Sequence, residues 1–159
     1  MRVLLVCFVL VSSSSFAQDT LLNHIRKNIG ELFTSDDVCE NIYEAFEESG
    51  KPTEDVLLGY YGATLIGMSR HHPNPFKKMG FLNDGTESLE EAVNNQPDNI
   101  ELRFLRLTIQ TYMPAFLGYD DDKEKDKQFV LDNLASAKNE QFQERARNFI
   151  KQAESQGKL

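Results

Sequence analysis

Tryptophan is missing from this chain, and cysteine occurs only twice, at Cys7 and Cys39. Cys7 lies inside an N-terminal apolar run, so the remaining domain keeps one thiol and cannot close an internal disulfide. Such a fold must be held by a hydrophobic core, because no covalent staple restricts its unfolded state. Long apolar stretches are equally scarce. The longest, Val3 to Val11, is too short for a membrane-spanning helix, which takes roughly 20 residues. Positive charge is in short supply too: 17 Lys and Arg stand against 25 Asp and Glu, a formal net charge of −8. That balance opposes binding to nucleic acid and to anionic membranes. No segment alternates apolar and polar residues at period two for long enough to suggest a sheet. Also missing are a Gly-x-Ser-x-Gly elbow, a His-Glu-x-x-His pair, a Cys-x-x-Cys pair and a phosphate-binding glycine loop.

What is present begins with the features of an export signal. Arg2 supplies a positive start, Val3 to Val11 an apolar run, and Ser15-Phe16-Ala17 small residues around a cut before Gln18. A lipid anchor on Cys7 is rejected, because a lipoprotein cysteine follows a completed apolar segment and Leu5-Val6-Cys7 sits midway through one. Removing residues 1–17 leaves residues 18–159 as a single domain, with 16 bases against 25 acids and a formal charge of −9. The expected location is the periplasm or the cell exterior, away from ATP and nicotinamide cofactors. No membrane insertion is expected once the signal is gone.

Apolar residues recur at helical spacing through almost the whole remaining chain, predicting an all-α fold of about seven helices. Leu21, Leu22, Ile25, Ile29, Leu32 and Phe33 form one face of a first helix. Thr34 or Ser35 caps a second, carrying Val38, Cys39, Ile42, Ala45 and Phe46 and ending at Gly50-Lys51-Pro52. Thr53 caps a third, in which Gly59, Gly62, Ala63 and Gly67 make a stripe without bulk that a neighbouring backbone can approach, with Gly59 and Gly62 at the tightest contact. A fourth runs from about Phe76 to Asn95. Asn83-Asp84-Gly85 is a turn signal inside it, but Met79, Leu82, Thr86, Leu89 and Val93 keep one phase across the triplet. Asp98 or Asn99 caps a fifth helix, apolar on most sides and therefore central. The aromatics of Met113 to Tyr119 should fold back onto the core. Asp120-Asp121-Asp122 starts a sixth helix and Asn139 caps a seventh, after which Ser155 to Leu159 look frayed.

Within this ladder, Gly85-x-x-x-Leu89-x-x-Ala92-x-x-x-x-Pro97 resembles the second helix of a tetratricopeptide repeat, and Leu58, Tyr61, Gly62 and Leu65 resemble its first. About eleven extra residues separate the two helices, and Arg103 and Arg106 stand where the following segment would be apolar. The resemblance covers about Val56 to Asn99. It implies antiparallel helical hairpins stacked in a right-handed array, acting as a binding scaffold without catalytic groups. Asn99 to Arg106 and Phe116 to Tyr119 also resemble small exported helical proteins of Bacteroidota, which implies a habitat and no mechanism.

Several groups of residues can carry chemistry. Arg103, Arg106 and Gln110 share one stripe, and two guanidiniums so placed can hold a carboxylate or phosphate in bidentate fashion. Equally, the stripe can face solvent or pair with acids such as Glu87, Glu90 or Glu91. His71-His72 offers imidazoles, but neighbours on one backbone seldom converge on one ion, so the expected role is with the C-terminal dipole of the third helix. Asp120, Asp122, Glu124 and Asp126 alternate like calcium ligands. Lys125 stands where the turn glycine belongs, however, and Leu131 where the bidentate acid belongs. Cys39 with His24 could make a nucleophile pair, but Cys39 sits in an apolar stripe, as an inert thiol does.

The preferred reading is an exported, non-catalytic helical protein that binds a protein or peptide partner, with no cofactor and no metal. Its contact residues would be Tyr60, Tyr61, Arg103, Arg106 and Gln110 in a groove between helices. The alternative is a small exported hydrolase or ligand carrier with a pocket near the 70–76 loop. A third possibility is a structural subunit of an envelope assembly, which predicts an exposed apolar patch and oligomerisation.

Overall fold

A computed structural model describes residues 12–159, with side chains from Thr20 onward. The apolar run Val3 to Val11, including Cys7, lies outside the described residues. The expected cut after Ala17 falls within the first helix, ahead of the described side chains. Among the described residues the protein is all-α, with no strand. Its helices are α1 (Ser12–Asn28), α2 (Asp36–Ser49), α3 (Asp55–His71), α4 (Pro75–Asn95), α5 (Ile100–Tyr112), α6 (Lys123–Asn133) and α7 (Glu140–Ser155). Short 3-10 turns occur at Ala115–Leu117 and Leu134–Ser136. None of the described helices is long and apolar enough to cross a membrane.

Polar side chains set most helix starts, because the first turn leaves backbone N–H groups without partners. Ser35 Oγ accepts from Val38 N (3.3 Å), Asn74 Oδ1 from Phe76 N (2.9 Å), Asn99 Oδ1 from Glu101 N (3.0 Å) and Asn139 Oδ1 from Phe142 N (3.0 Å). At α3 the cap is Glu54 instead of the expected Thr53. Its longer carboxylate accepts from both Val56 N and Leu57 N, at 3.2 and 2.8 Å, and adds negative charge to the helix start. The first helix stops at Asn28, short of the expected Phe33. Residues 29–34 tighten into i→i+3 turns, Glu31 N to Asn28 O and Thr34 N to Glu31 O, and these still deliver Leu32 to the core. The C-terminus is not frayed. Gly157 takes a left-handed φ of 67°, its N–H donates to Glu154 O, and Lys158 N donates to Ala153 O. This double bond pattern lets the tail fold back onto α7.

Contacts fix how the helices run. Asp55 meets Asn95 and Gln96, Gly62 meets Gly85, and Arg70 meets Lys78, so α3 and α4 are antiparallel along their full length. In the same way Phe46 stacks edge-on to Tyr61 while Cys39 reaches Thr64, making α2 antiparallel to α3. One core cluster is built from α1 to α5 around Ile25, Ile42, Phe46, Tyr60, Leu89 and Leu102. A smaller cluster joins α5 to α6 and α7 through Phe104, Leu107, Val130, Phe142 and Ile150. The fifth helix belongs to both, as its apolar surplus predicts.

The 83–85 triplet stays helical. Gly85 is buried there because it lies against Gly62: a β-carbon on Gly62 would come 2.6 Å from Gly85 O and 2.7 Å from Leu89 N. Gly59 is the looser of the two expected contacts, since a β-carbon there would strike a side-chain methyl of Leu102 instead of backbone. Two residues expected to point inward do not. Met79 is 53% exposed and Phe116 is 86% exposed.

Candidate functional site

The Arg103, Arg106 and Gln110 stripe turns inward, beneath α6. Arg103 is 6% exposed and Arg106 3%, and both converge on Asp126, which is fully buried. Arg106 Nε donates to Asp126 Oδ2 at 2.7 Å and Nη2 to Oδ1 at 3.0 Å, while Arg103 Nε lies 2.7 Å from the same Oδ1, outside hydrogen-bonding alignment. Arg106 Nη1 also donates to Glu90 Oε2 at 2.6 Å, and Tyr119 OH donates to Glu90 Oε1 at 2.6 Å. Burial works against the Arg106 charge, but Asp126 and then Glu90 outweigh it, so its protonated form is favoured beyond that of an ordinary arginine. The Arg103 guanidinium lies 4.7 Å from the centre of the Phe129 ring. Gln110 is buried beside these groups, its side-chain oxygen without a hydrogen-bond partner. The acids that satisfy the stripe therefore come from α4 and α6, Glu90 being one of those considered from sequence and Asp126 not.

Tyr60 is buried as well. Its OH donates to Glu101 Oε1 at 2.7 Å, and Arg26 of α1 grips the same carboxylate with Nε and Nη2 at 2.6 and 2.7 Å. Burial first, and Glu101 second, push the Tyr60 phenol well above its usual range. Of the five residues expected to line a partner groove, Tyr61 alone keeps partial exposure. It packs against Phe46 on the α2 side, away from the stripe of α5. The five do not converge on an open groove in this structure, because the charged members find intramolecular counter-ions.

The 70–76 corner places other groups together. His71 Nδ1 lies 2.5 Å from Asp36 Oδ1 and Nε2 lies 3.3 Å from Leu32 O, so both ring nitrogens face acceptors. Cys39 is one helical turn from Asp36, which brings a thiol, an imidazole and a carboxylate to the α2–α3 interface. The thiol is fully buried, however, and contacts Thr64 O at 3.7 Å. Desolvation, then Asp36 and Glu40, push it up to about 12. A thiol so placed supplies no thiolate near neutral pH. His24 is distant in role too, with its ring nitrogen 3.4 Å from Asn28 Nδ2. His72 N–H closes the end of α3 on Met68 O. Among the described residues no three His, Cys, Asp or Glu side chains gather as a metal site. A shallow cleft lies at the opposite end of α3, between Leu21, Phe46, Leu57 and the 50–53 loop.

The corner's outer side carries its most exposed residues. The residues counted from sequence as extra between the third and fourth helices do not form a loop. They lengthen both helices, leaving only residues 72–74 between them. The Glu90–Arg106 pair sets the α4–α5 register, and at that register the shorter α5 ends near Asp84, leaving Pro75–Leu82 without α5 beside it. There Phe76 is 88% exposed, Met79 is half exposed, and a β-carbon on Gly80 would meet nothing within 4 Å. Lys77 and Arg70 are exposed on the same corner, and neither pairs with an acid among the described residues. Sequence reasoning missed this patch because Phe76 and Met79 fit the apolar phase of α4. The signal that could have found it is the mismatch between a 21-residue α4 and a 13-residue α5.

Compared with known proteins, the chain matches no family model, no curated protein and no solved structure.

Proposed function

We propose that this chain is an exported, non-catalytic helical-repeat-like protein that binds a protein or peptide partner in the cell envelope. The observation that carries the reading is the overhanging start of α4, where Phe76 and Met79 stand in solvent while Leu82, Leu89 and Val93 of the same helix join the core. Large apolar side chains grouped on an exposed helix end, ringed by Arg and Lys, have the composition of a contact surface. The tetratricopeptide resemblance gains support from the way its two small positions, Gly62 and Gly85, lie against each other. Export rests on the leader features of residues 1–17. The contact residues move, in this reading, from the α5 stripe to the corner.

Site-specific photocrosslinking in the native cell tests it. A benzophenone amino acid at position 76 or 79 should give a discrete light-dependent protein adduct, and the same probe at Lys151, on the outer side of α7, should give none. Absence of an adduct from both corner positions would sink the proposal.

The hydrolase alternative has the His71–Asp36 pair in its favour. It ranks second because both imidazole nitrogens are already engaged and the nearest thiol is buried.

A further inference from the structure

We infer that the partner presents an acidic segment with apolar side chains, which docks along the overhanging start of α4. This rests on the reading just given and adds the chemistry of the partner. From Val56 to Asn83 the sequence contains no Asp or Glu, in a chain that has 25 of them. The same interval contains Arg70, Lys77, Lys78 and two histidines. The fold gathers these at one corner: Lys78 Nζ donates to Arg70 O at 3.0 Å, and the His72 ring lies 5.6 Å from that of Phe81, itself edge-on to Tyr43 at 5.5 Å. Asn74 and Pro75 start α4 there beside the C-terminus of α3, so the two helix dipoles largely offset each other and the side chains supply the positive charge.

The result is a small positive, aromatic pole on an otherwise acidic protein. Opposite charge would steer a segment to it, and Phe76 and Met79 would supply the buried contact. A flat anionic membrane fits less well. Asp36 is bound to His71 at this corner with its carboxylate largely exposed, and Asp37 is exposed beside it, so a broad negative plane reaching Lys77 would meet both acids. A narrow segment on Phe76 and Met79 need not cover the first turn of α2, which carries both acids. A second copy of the chain could set its own Asp36 and Asp37 against Arg70 and Lys77 across a two-fold axis, so self-association is an outcome that the test must read.

Fluorescence anisotropy of the chain, residues 18–159, tests the inference. The probes are a labelled peptide rich in Glu and Leu, the same peptide with Lys for Glu, and phosphatidylcholine vesicles with and without phosphatidylglycerol. The Glu peptide should bind, more weakly as salt rises, and the Lys peptide should not. Phe76→Ser, and Arg70→Gln with Lys77→Glu, should each weaken binding about tenfold or more. Lys151→Glu should leave it unchanged, and circular dichroism should show all variants equally helical. Peptide binding unaffected by the corner variants overturns the inference. So does binding to phosphatidylglycerol vesicles without peptide binding, or self-association that the corner variants abolish. If position 76 crosslinks to a protein in cells while the Glu peptide fails to bind, the partner class is wrong and the binding reading stands.

Discussion

Two interfaces of this protein hold helices together by opposite means. Between α3 and α4 the contact is made by what is missing, since Gly62 and Gly85 let backbone touch backbone and dispersion forces act over many close atom pairs. Between α5 and α6 it is made by charge. The sixth helix buries only Asp126 and Val130, and Asp126 is its anchor to Arg103 and Arg106. The glycine interface tolerates no added atom but has no polar debt. The ionic interface has a large one, because three charged groups leave water together and are stable only as a set. A defect in the first is thus a local misfit, whereas a defect in the second strands a charge.

The largest effect should come from stranding that charge. Asp126→Ala is expected to cost about 3 to 5 kcal/mol, leaving two buried guanidiniums with Glu90 and Asp122 alone to answer Arg106. Replacing the set with Arg103→Met, Arg106→Met and Asp126→Leu should recover most of that loss in urea unfolding. No recovery would mean that the cluster does more than fill space. Next in size is Gly62→Leu, at about 1 to 3 kcal/mol through overpacking. Gly59→Ala should lie within about 1 kcal/mol of neutral, because the side-chain methyl of Leu102 can shift and alanine favours the helix. Equal melting temperatures for the Gly62 and Gly59 variants would erase the distinction between backbone and side-chain contact.

The glycine interface was legible in the sequence and the ionic one was not, for a physical reason. Small residues at helical spacing point to close approach, but only Gly62 meets the α4 backbone, while Gly59 faces the Leu102 side chain and Gly67 faces Cys39 and Leu32. The same periodicity that gave seven helices also gave the continuous α4 through Asn83-Asp84-Gly85. A charged stripe is ambiguous: Arg103 and Arg106 read identically whether they face solvent, ligand or a buried acid, and the deciding residue, Asp126, lies 20 positions away from Arg106 in a helix whose acids look like ordinary capping. Periodicity likewise could not show that Phe76 and Met79 project, because that depends on where α5 ends. The cap of α3 moved by one residue because a glutamate is long enough to reach two backbone N–H groups.

An effect comparable to that of Gly62→Leu separates the two ends of the charge network. Tyr119→Phe removes the donor to Glu90 Oε1 and should cost about 1.5 to 3 kcal/mol, as for a hydrogen bond to a charged group. Burial first, then Glu90, raises the folded-state pKa of Tyr119 above its unfolded value near 10. The neutral phenol is what folding favours, so this stabilisation is complete below about pH 10 and is lost as pH rises toward the folded value. Tyr60 shares the direction of shift, so Tyr119→Phe should flatten only part of the alkaline limb of stability against pH. An unchanged limb would show that Glu90 is held by Arg106 alone.

The smallest effect belongs to the α3–α4 pair, where the polar clasp at the start of α3 tests how far that interface depends on contact alone. Asn95 Nδ2 and Gln96 Nε2 each donate to Asp55 at 2.8 Å, and these two bonds hold the Asp55 carboxyl below its usual range. A depressed carboxylate contributes stability above its unfolded value, about 3.9, and loses it as pH falls through the folded value. Asp55→Asn would set an amide N–H₂ against one of the two donors and remove that acid-limb dependence. Because the site is open to water, the loss near neutral pH should stay below about 1 kcal/mol. The measurement is melting temperature against pH for both proteins. Curves that converge below about pH 3 and separate above pH 5 would place the clasp as a minor aid to a glycine-packed pair. A large gap at neutral pH would instead make the polar clasp a principal tie between the two helices.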